Sequence, residues 1–391
     1  MEKPHSAKMT RSPEIGLLLL CARPQVTDDV ISRMHTLLRQ QLDWELIFRL
    51  ADRHRTIPLL AHNLHRHASN LLAGDIHSRL QKYHRETTWH NMVLAMEVLR
   101  LVNLLSAMGI KAVPFKGPVS AMLAYGDMAM RACGDIDLLV KQQDHGKAEQ
   151  LLENEGYHVV IRYRDAMQSS LHQEQRRISV DLHWSIPPDY LQLDSDRLWD
   201  DLGPINLLGR SVQTFSPRDT VLVTATNVVK EYATPSLHHL SDLAALTGSY
   251  SDDDWTALFR RAREIGCQRM LIAALLFTRN QLHITLPSVG PSRLFHHHGI
   301  NRVVDELQVH LFLWPDEQAN ESVTRPVYLR DKRVYNLALT DSPWQRGRYW
   351  LKWAGTPNSA DHAFIRLPMW LSFLYFLIRP LRLLIKYSGR S

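Results

Sequence analysis

Three cysteines in 391 residues, Cys21, Cys133 and Cys267, are too few and too scattered for a disulfide framework or a zinc site. Such sparse usage fits a reducing cytoplasm. Cys133 stands two residues before Asp135, where either a site thiol or a small packing residue fits. Uncharged residues nowhere run to the roughly 18 that a membrane span needs. Three motifs are also missing: the Walker A loop, the Gly-x-Gly-x-x-Gly turn and the Gly-x-Ser-x-Gly elbow. Their absence removes support for a P-loop NTPase, a dinucleotide enzyme and an α/β-hydrolase. Charge of one sign is not in excess: 46 Lys+Arg against 40 Asp+Glu leave +6, with a pI near 9.2. That mild balance permits an anionic partner, nucleic acid included, without requiring one.

What is present describes a globular chain, 45% apolar and 22% charged, long enough for two or three packed units. Lys3, Lys8 and Arg11 precede the apolar run 15–22, an order that superficially resembles a signal peptide. Arg23-Pro24 stands where a small-residue cleavage site would be, and Ser12-Pro13-Glu14 reads as a cap and first turn, so a helix is expected. Residues 1–90 form an N-terminal helical region on this reading. Leu42 to Ala51 has helical spacing with Asp43 as cap, and its pattern Asp-Trp-x-x-aliphatic-Phe-Arg-x-Ala returns at Asp254 to Ala262.

In residues 91–190 the hydrophobic period switches between 3.6 and 2. Helices are expected at 91–108, 119–125 and 144–155, and strands at 111–115, 135–140, 157–163 and 178–184. Residues 191–285 read as a helical domain after Pro187-Pro188. Residues 286–391 are rich in His, Trp, Pro and Arg with weak periodicity, and His296 to His298 reads as surface loop. They end in LPMWLSFLYFLI followed by Arg379, Arg382, Lys386 and Arg390. The segment 363–388 suits either a helix lying on a membrane surface or one docked on the protein's own core. The fold class expected is α+β, a small mixed sheet flanked by N-terminal and C-terminal helical regions.

The chemistry concentrates in FKGPVSAMLAYGDMAMRACGDIDLLV, residues 115–140. Residues two apart on a strand share a face, so Asp135 and Asp137 present adjacent carboxylates. Carboxylates held that close repel unless a cation lies between them, and hard oxygen ligands suit Mg²⁺. Asp181, in the apolar run Ile178 to Trp184, is a third carboxylate for a two-metal site. Upstream, Lys116 and Gly117 open a helix at Pro118, a turn whose N–H groups can hold a phosphate. Arg131 is placed to reach the same phosphates as a bidentate donor. His183 and Trp184 adjoin Asp181, the first as a possible donor and the second for base stacking or core packing. Lys230 and Asp242 are read as solvated helix faces.

With these residues in place, the chain resembles the DNA polymerase β-type nucleotidyltransferases, and more closely a poorly characterised bacterial family of that superfamily. The resemblance rests on FKGPVSAMLAYGDMAMRACGDIDLLV, VDLHW and LDWELIFRLADRHRTIPLL, and covers about residues 12 to 280. It implies an Mg²⁺-dependent transfer of NMP from an NTP to a hydroxyl acceptor (a small molecule, glycan precursor or peptide), with pyrophosphate released. Asp135, Asp137 and Asp181 would be catalytic and hold two Mg²⁺ ions, and Asp181 could also activate the acceptor hydroxyl. Lys116-Gly117 stands where active family members usually carry Gly-Ser, which leaves room for altered chemistry. The alternatives are a nucleotide-binding scaffold at the inner face of the membrane and a toxin-like enzyme that modifies RNA.

Overall fold

Ser12 caps the first described helix, accepting from the backbone N–H of Ile15 at 3.3 Å, with Pro13 in the first turn. This computed structural model describes residues 12–163, 167–186, 195–230, 234–312 and 333–355, with 361, 364–365, 371 and 374–388 of the tail. The first five helices are α1 (Pro13–Cys21), α2 (Asp28–Leu38), α3 (Trp44–Arg53), α4 (Ile57–Ala68) and α5 (Gly74–Ala107). Asp43 caps α3 through the N–H of Leu46 at 2.9 Å. The helix expected from residue 91 begins at Gly74 instead, because no glycine or proline interrupts residues 75–108. It therefore runs straight through the expected boundary at 90/91.

A five-stranded sheet follows, built from β1 (Val113–Pro114), β2 (Ile136–Leu139), β3 (His158–Tyr163), β4 (Gln168–Gln173) and β5 (Ile178–His183). Its order is β1-β2-β5-β4-β3, with β2 and β5 parallel and every other pair antiparallel. A parallel pair needs a long crossover. Here α7 (His145–Asn154), β3 and β4 provide it, while α6 (Pro118–Tyr125) lies between β1 and β2 in the chain. Ile136, Leu138, Val180 and Leu182 pack on Leu94, Val98 and Leu101 of α5 in one core. The alternate residues of β2 and β5 face the other way, and there the site is built.

The stretch after residue 194 is not purely helical, as the sequence reading had it. A hairpin of β6 (Leu202–Leu207) and β7 (Arg210–Phe215) turns at Leu208-Gly209, both with positive φ. Thr214 Oγ1 donates to the carbonyl of Pro114 at 2.7 Å and ties this hairpin to β1. Helices α8 (Pro217–Lys230), α9 (Leu237–Thr247), α10 (Asp252–Ile265) and α11 (Gln268–Leu282) come next. In α10 the cap is Ser251 and Asp254 closes a capping box, so the repeated Asp-Trp pattern serves two different helix starts. Leu17 and Leu60 share a single core with Leu222, Leu240 and Leu271, so the helices before and after the sheet close on each other.

The region expected to be irregular holds α12 (His298–Leu311), whose Val303 and Leu307 join that core. In the tail, α13 (Pro343–Gly355) meets α14 (Tyr375–Ser388). Arg379 donates to the carbonyl of Trp353 at 2.8 Å and to Asp361 at 2.9 Å, and Arg382 donates to Asp361 at 2.6 Å. Two of the tail's arginines thus turn inward to a fully buried carboxylate, as the docked alternative has it. Much of the apolar stretch 367–378 lies outside the described residues. No described helix is long and apolar enough to cross a membrane.

Candidate active site

The parallel register sets Asp137 of β2 directly beside Asp181 of β5. Asp135 lies one residue before β2 and faces the same cavity. Between β1 and α6 the chain turns at Gly117, with φ +58° and ψ −130°. A β-carbon there would sit 3.1 Å from the carbonyl oxygen of Asp135, a contact tight enough that the backbone would have to give by a few tenths of an ångström, in a conformation that side chains rarely adopt. Gly117→Ala is expected to cost about 1–3 kcal/mol through that strained conformation. A lower urea midpoint would register the strain.

Asp137 is only 4% exposed, and its Oδ1 is contacted twice, by Lys116 Nζ at 2.6 Å and His183 Nε2 at 3.0 Å. Burial alone would push this carboxyl up. The Lys116 ammonium and the His183 hydrogen bond outweigh burial and hold it well below the usual carboxylate range. Asp135 goes the other way, pushed up to about 6 by burial and then by the charges of Asp137 and Asp181. Burial lowers His183, whose ring packs edge-on against Phe115 at 5.1 Å between centroids. Its Nδ1 is buried without a hydrogen-bond partner among the described residues.

Strand β4 explains its own polarity here. Gln168 Nε2 donates to one Asp181 oxygen at 2.7 Å and Ser170 Oγ donates to the other at 2.5 Å. Asp137, Asp181 and His183 each offer a ligand atom, all within 4.8 Å of one another. Two carboxylates, a buried imidazole and the neighbouring Asp135 form a donor set that fits a divalent cation. The expected trio was Asp135, Asp137 and Asp181. In the tightest grouping His183 takes the place of Asp135.

The cavity in front of these acids is about 530 Å³ and presents Arg53, Arg55, Lys116, Arg131 and Lys230 to them. Arg131 reaches this wall, but its Nε donates to Asp242 Oδ2 at 2.8 Å, and Tyr125 Oη donates to Asp242 Oδ1 at 2.9 Å. Asp242 is therefore buried, not on a solvated face as its helix pattern suggested. Trp184 stacks edge-on against His145 at 4.4 Å, a packing role. Arg53 and Arg55 were absent from the sequence reading. The only signal was the basic cluster Arg53-His54-Arg55 at a helix end, a composition that surfaces share.

No curated protein matches this chain. Among solved structures, lincosamide antibiotic adenylyltransferase LnuA with lincomycin bound is 18% identical, over 40% of this chain and 97% of that one, with a TM-score of 0.30. An antigenic nucleotidyltransferase-like protein from Paracoccidioides brasiliensis is 16% identical, over 52% and 97% respectively, with a TM-score of 0.32. The family described as uncharacterised nucleotidyltransferase matches residues 40–283, a span that holds α3, the whole sheet and α8 to α11. The chain belongs to that nucleotidyltransferase family.

Proposed function

We propose that the protein transfers a nucleoside monophosphate from a nucleoside triphosphate to a hydroxyl acceptor. The observation that carries this reading is Asp137 beside Asp181 on parallel strands, facing a cavity that Arg53, Arg55, Lys116, Arg131 and Lys230 also line. Asp137 and Asp181, with His183 and Asp135 at hand, would hold Mg²⁺. When bound, that ion supplies charge neutralisation at the phosphates. Lys116, paired with Asp137, would contact a phosphate oxygen. The N–H groups at the start of α6, opened by Gly117, offer a further anion site.

The acceptor oxygen forms a new bond to the α-phosphorus, the bond to the bridging oxygen breaks, and pyrophosphate leaves. Asp181, fixed by Gln168 and Ser170, is the proposed acceptor of the hydroxyl proton. Arg379 and Arg382, both turned to Asp361, leave the membrane-scaffold alternative with less support.

A thermal-shift panel of ATP, GTP, CTP and UTP, each with and without Mg²⁺, tests the reading. A ligand at about a hundred times its dissociation constant adds about 2.7 kcal/mol. An Mg²⁺-dependent rise with at least one triphosphate is the expected result. Melting temperatures unchanged by all four would overturn it.

A further inference from the structure

Helix α3 ends in a turn that ordinarily calls for glycine. The N–H of Arg55 bonds to the carbonyl of Asp52 at 2.9 Å and that of Thr56 to Ala51 at 2.7 Å. This pair of bonds defines a Schellman ending, whose residue after the cap must be left-handed. That residue is Arg55, at φ +54°. After α5, α6 and α10 the chain meets the same demand with Gly109, Gly126 and Gly266. Among the described helix ends, His283 after α11 is the other exception, and it lines a separate cleft.

A β-carbon in this conformation is disfavoured, so the surroundings must hold the turn. They do so from α9. The carbonyl of His54 accepts from the N–H of His238 at 3.2 Å and from Ser236 Oγ at 3.2 Å, while His54 Nδ1 accepts from the N–H of Leu237 at 3.4 Å. Thr56 behind the turn is fully buried. The two helical regions on either side of the sheet thus grip one residue pair and fix where residue 55 points.

Its side chain points to the acids. A β-carbon on Gly134, the residue before Asp135, would lie 3.8 Å from Arg55 Nη1 and 3.9 Å from Nη2. Arg55 is exposed in the cavity, and among the described residues no hydrogen bond or ion pair engages its guanidinium. Arg131, by contrast, is anchored on Asp242. A guanidinium that no described residue pairs with, on a strained and clamped turn in a cavity that holds three carboxylates, is arranged for an anionic ligand. Its planar fork matches the oxygens of a phosphate.

We propose that Arg55, supplied by the N-terminal helices, grips the phosphate chain of the nucleoside triphosphate. The proposal rests on the nucleotidyl-transfer reading and assigns one contact within it. Arg55→Gly separates binding from folding, because glycine suits the turn. In calorimetric titrations with Mg²⁺, it should weaken ATP and inorganic tripolyphosphate about ten- to a hundredfold. AMP should bind as it does to wild type, the melting temperature should hold or rise, and Arg55→Lys should recover part of the loss.

Wild-type affinity for tripolyphosphate in Arg55→Gly would overturn the proposal. So would a fall in melting temperature with all three probes weakened equally, the mark of a structural residue. If wild type itself bound neither ATP nor tripolyphosphate, the transfer reading would fall and this one with it. Intact wild-type binding that Arg55→Gly leaves unchanged would remove only the contact.

Discussion

Asp137→Asn is expected to give a folded protein that has lost about a thousandfold or more in turnover. The substitution removes charge from the carboxylate whose Oδ1 both Lys116 and His183 contact, and which stands beside Asp181. An amide keeps the shape of the side chain but binds a divalent cation far more weakly than a carboxylate does. Stability has two opposing contributions. Asn loses the ion pair with Lys116, yet it removes the charge that, after burial, helps to push Asp135 up to about 6. These effects offset, so the melting temperature should move by only a few degrees. Initial rates with the triphosphate selected by the thermal panel provide the check. Turnover within tenfold of wild type would mean that Asp137 is not in the reacting site.

Asp242→Ala is expected to have the largest effect on stability, about 3–5 kcal/mol. Its carboxylate is the ion-pair partner of Arg131, a guanidinium that is itself only 8% exposed. Alanine would strand that cation and also leave the hydroxyl of half-buried Tyr125 without its acceptor. The pair joins α9 to the segment leading into β2, so the damage should spread to Asp135, four residues beyond Arg131. Replacing both partners, as Arg131→Met with Asp242→Leu, removes the stranded charge and should recover most of the loss. Urea midpoints for Arg131→Met, Asp242→Leu and the double close the cycle. A single substitution costing less than about 1 kcal/mol would show that water reaches the guanidinium.

The acids and the glycine turn were legible because they break a pattern. Asp137 and Asp181 interrupt apolar strands, and a glycine stands between strand and helix at 117. These departures from local preference are visible without any partner in view. Asp242 broke nothing: a carboxylate on a helix reads as solvated, and only its packing on Arg131 shows otherwise. Arg55 was hidden for a related reason, since a basic residue closing a helix agrees with the helix dipole. Strand β4 escaped because Gln168 and Ser170 serve Asp181 and so dilute the alternation that marks a strand. The β6–β7 hairpin did carry a local cue in Leu208-Gly209, overshadowed by the helical periodicity after it.

The side-by-side register of Asp137 and Asp181 also bears on how this sheet finds its pairing. Sliding β5 by one residue along β2 would send every side chain of the strand to the opposite face. Asp181 would then enter the layer that Val180 and Leu182 now fill against Leu94 and Val98, far from Gln168, Ser170 and water. A bare charge there costs several kcal/mol, so the slipped sheet is penalised more heavily than apolar strands alone would ensure. The acids therefore proofread the assembly of the strands that carry them. A preparation that has folded at all should be uniformly competent, with no native-looking but misregistered fraction to dilute its activity.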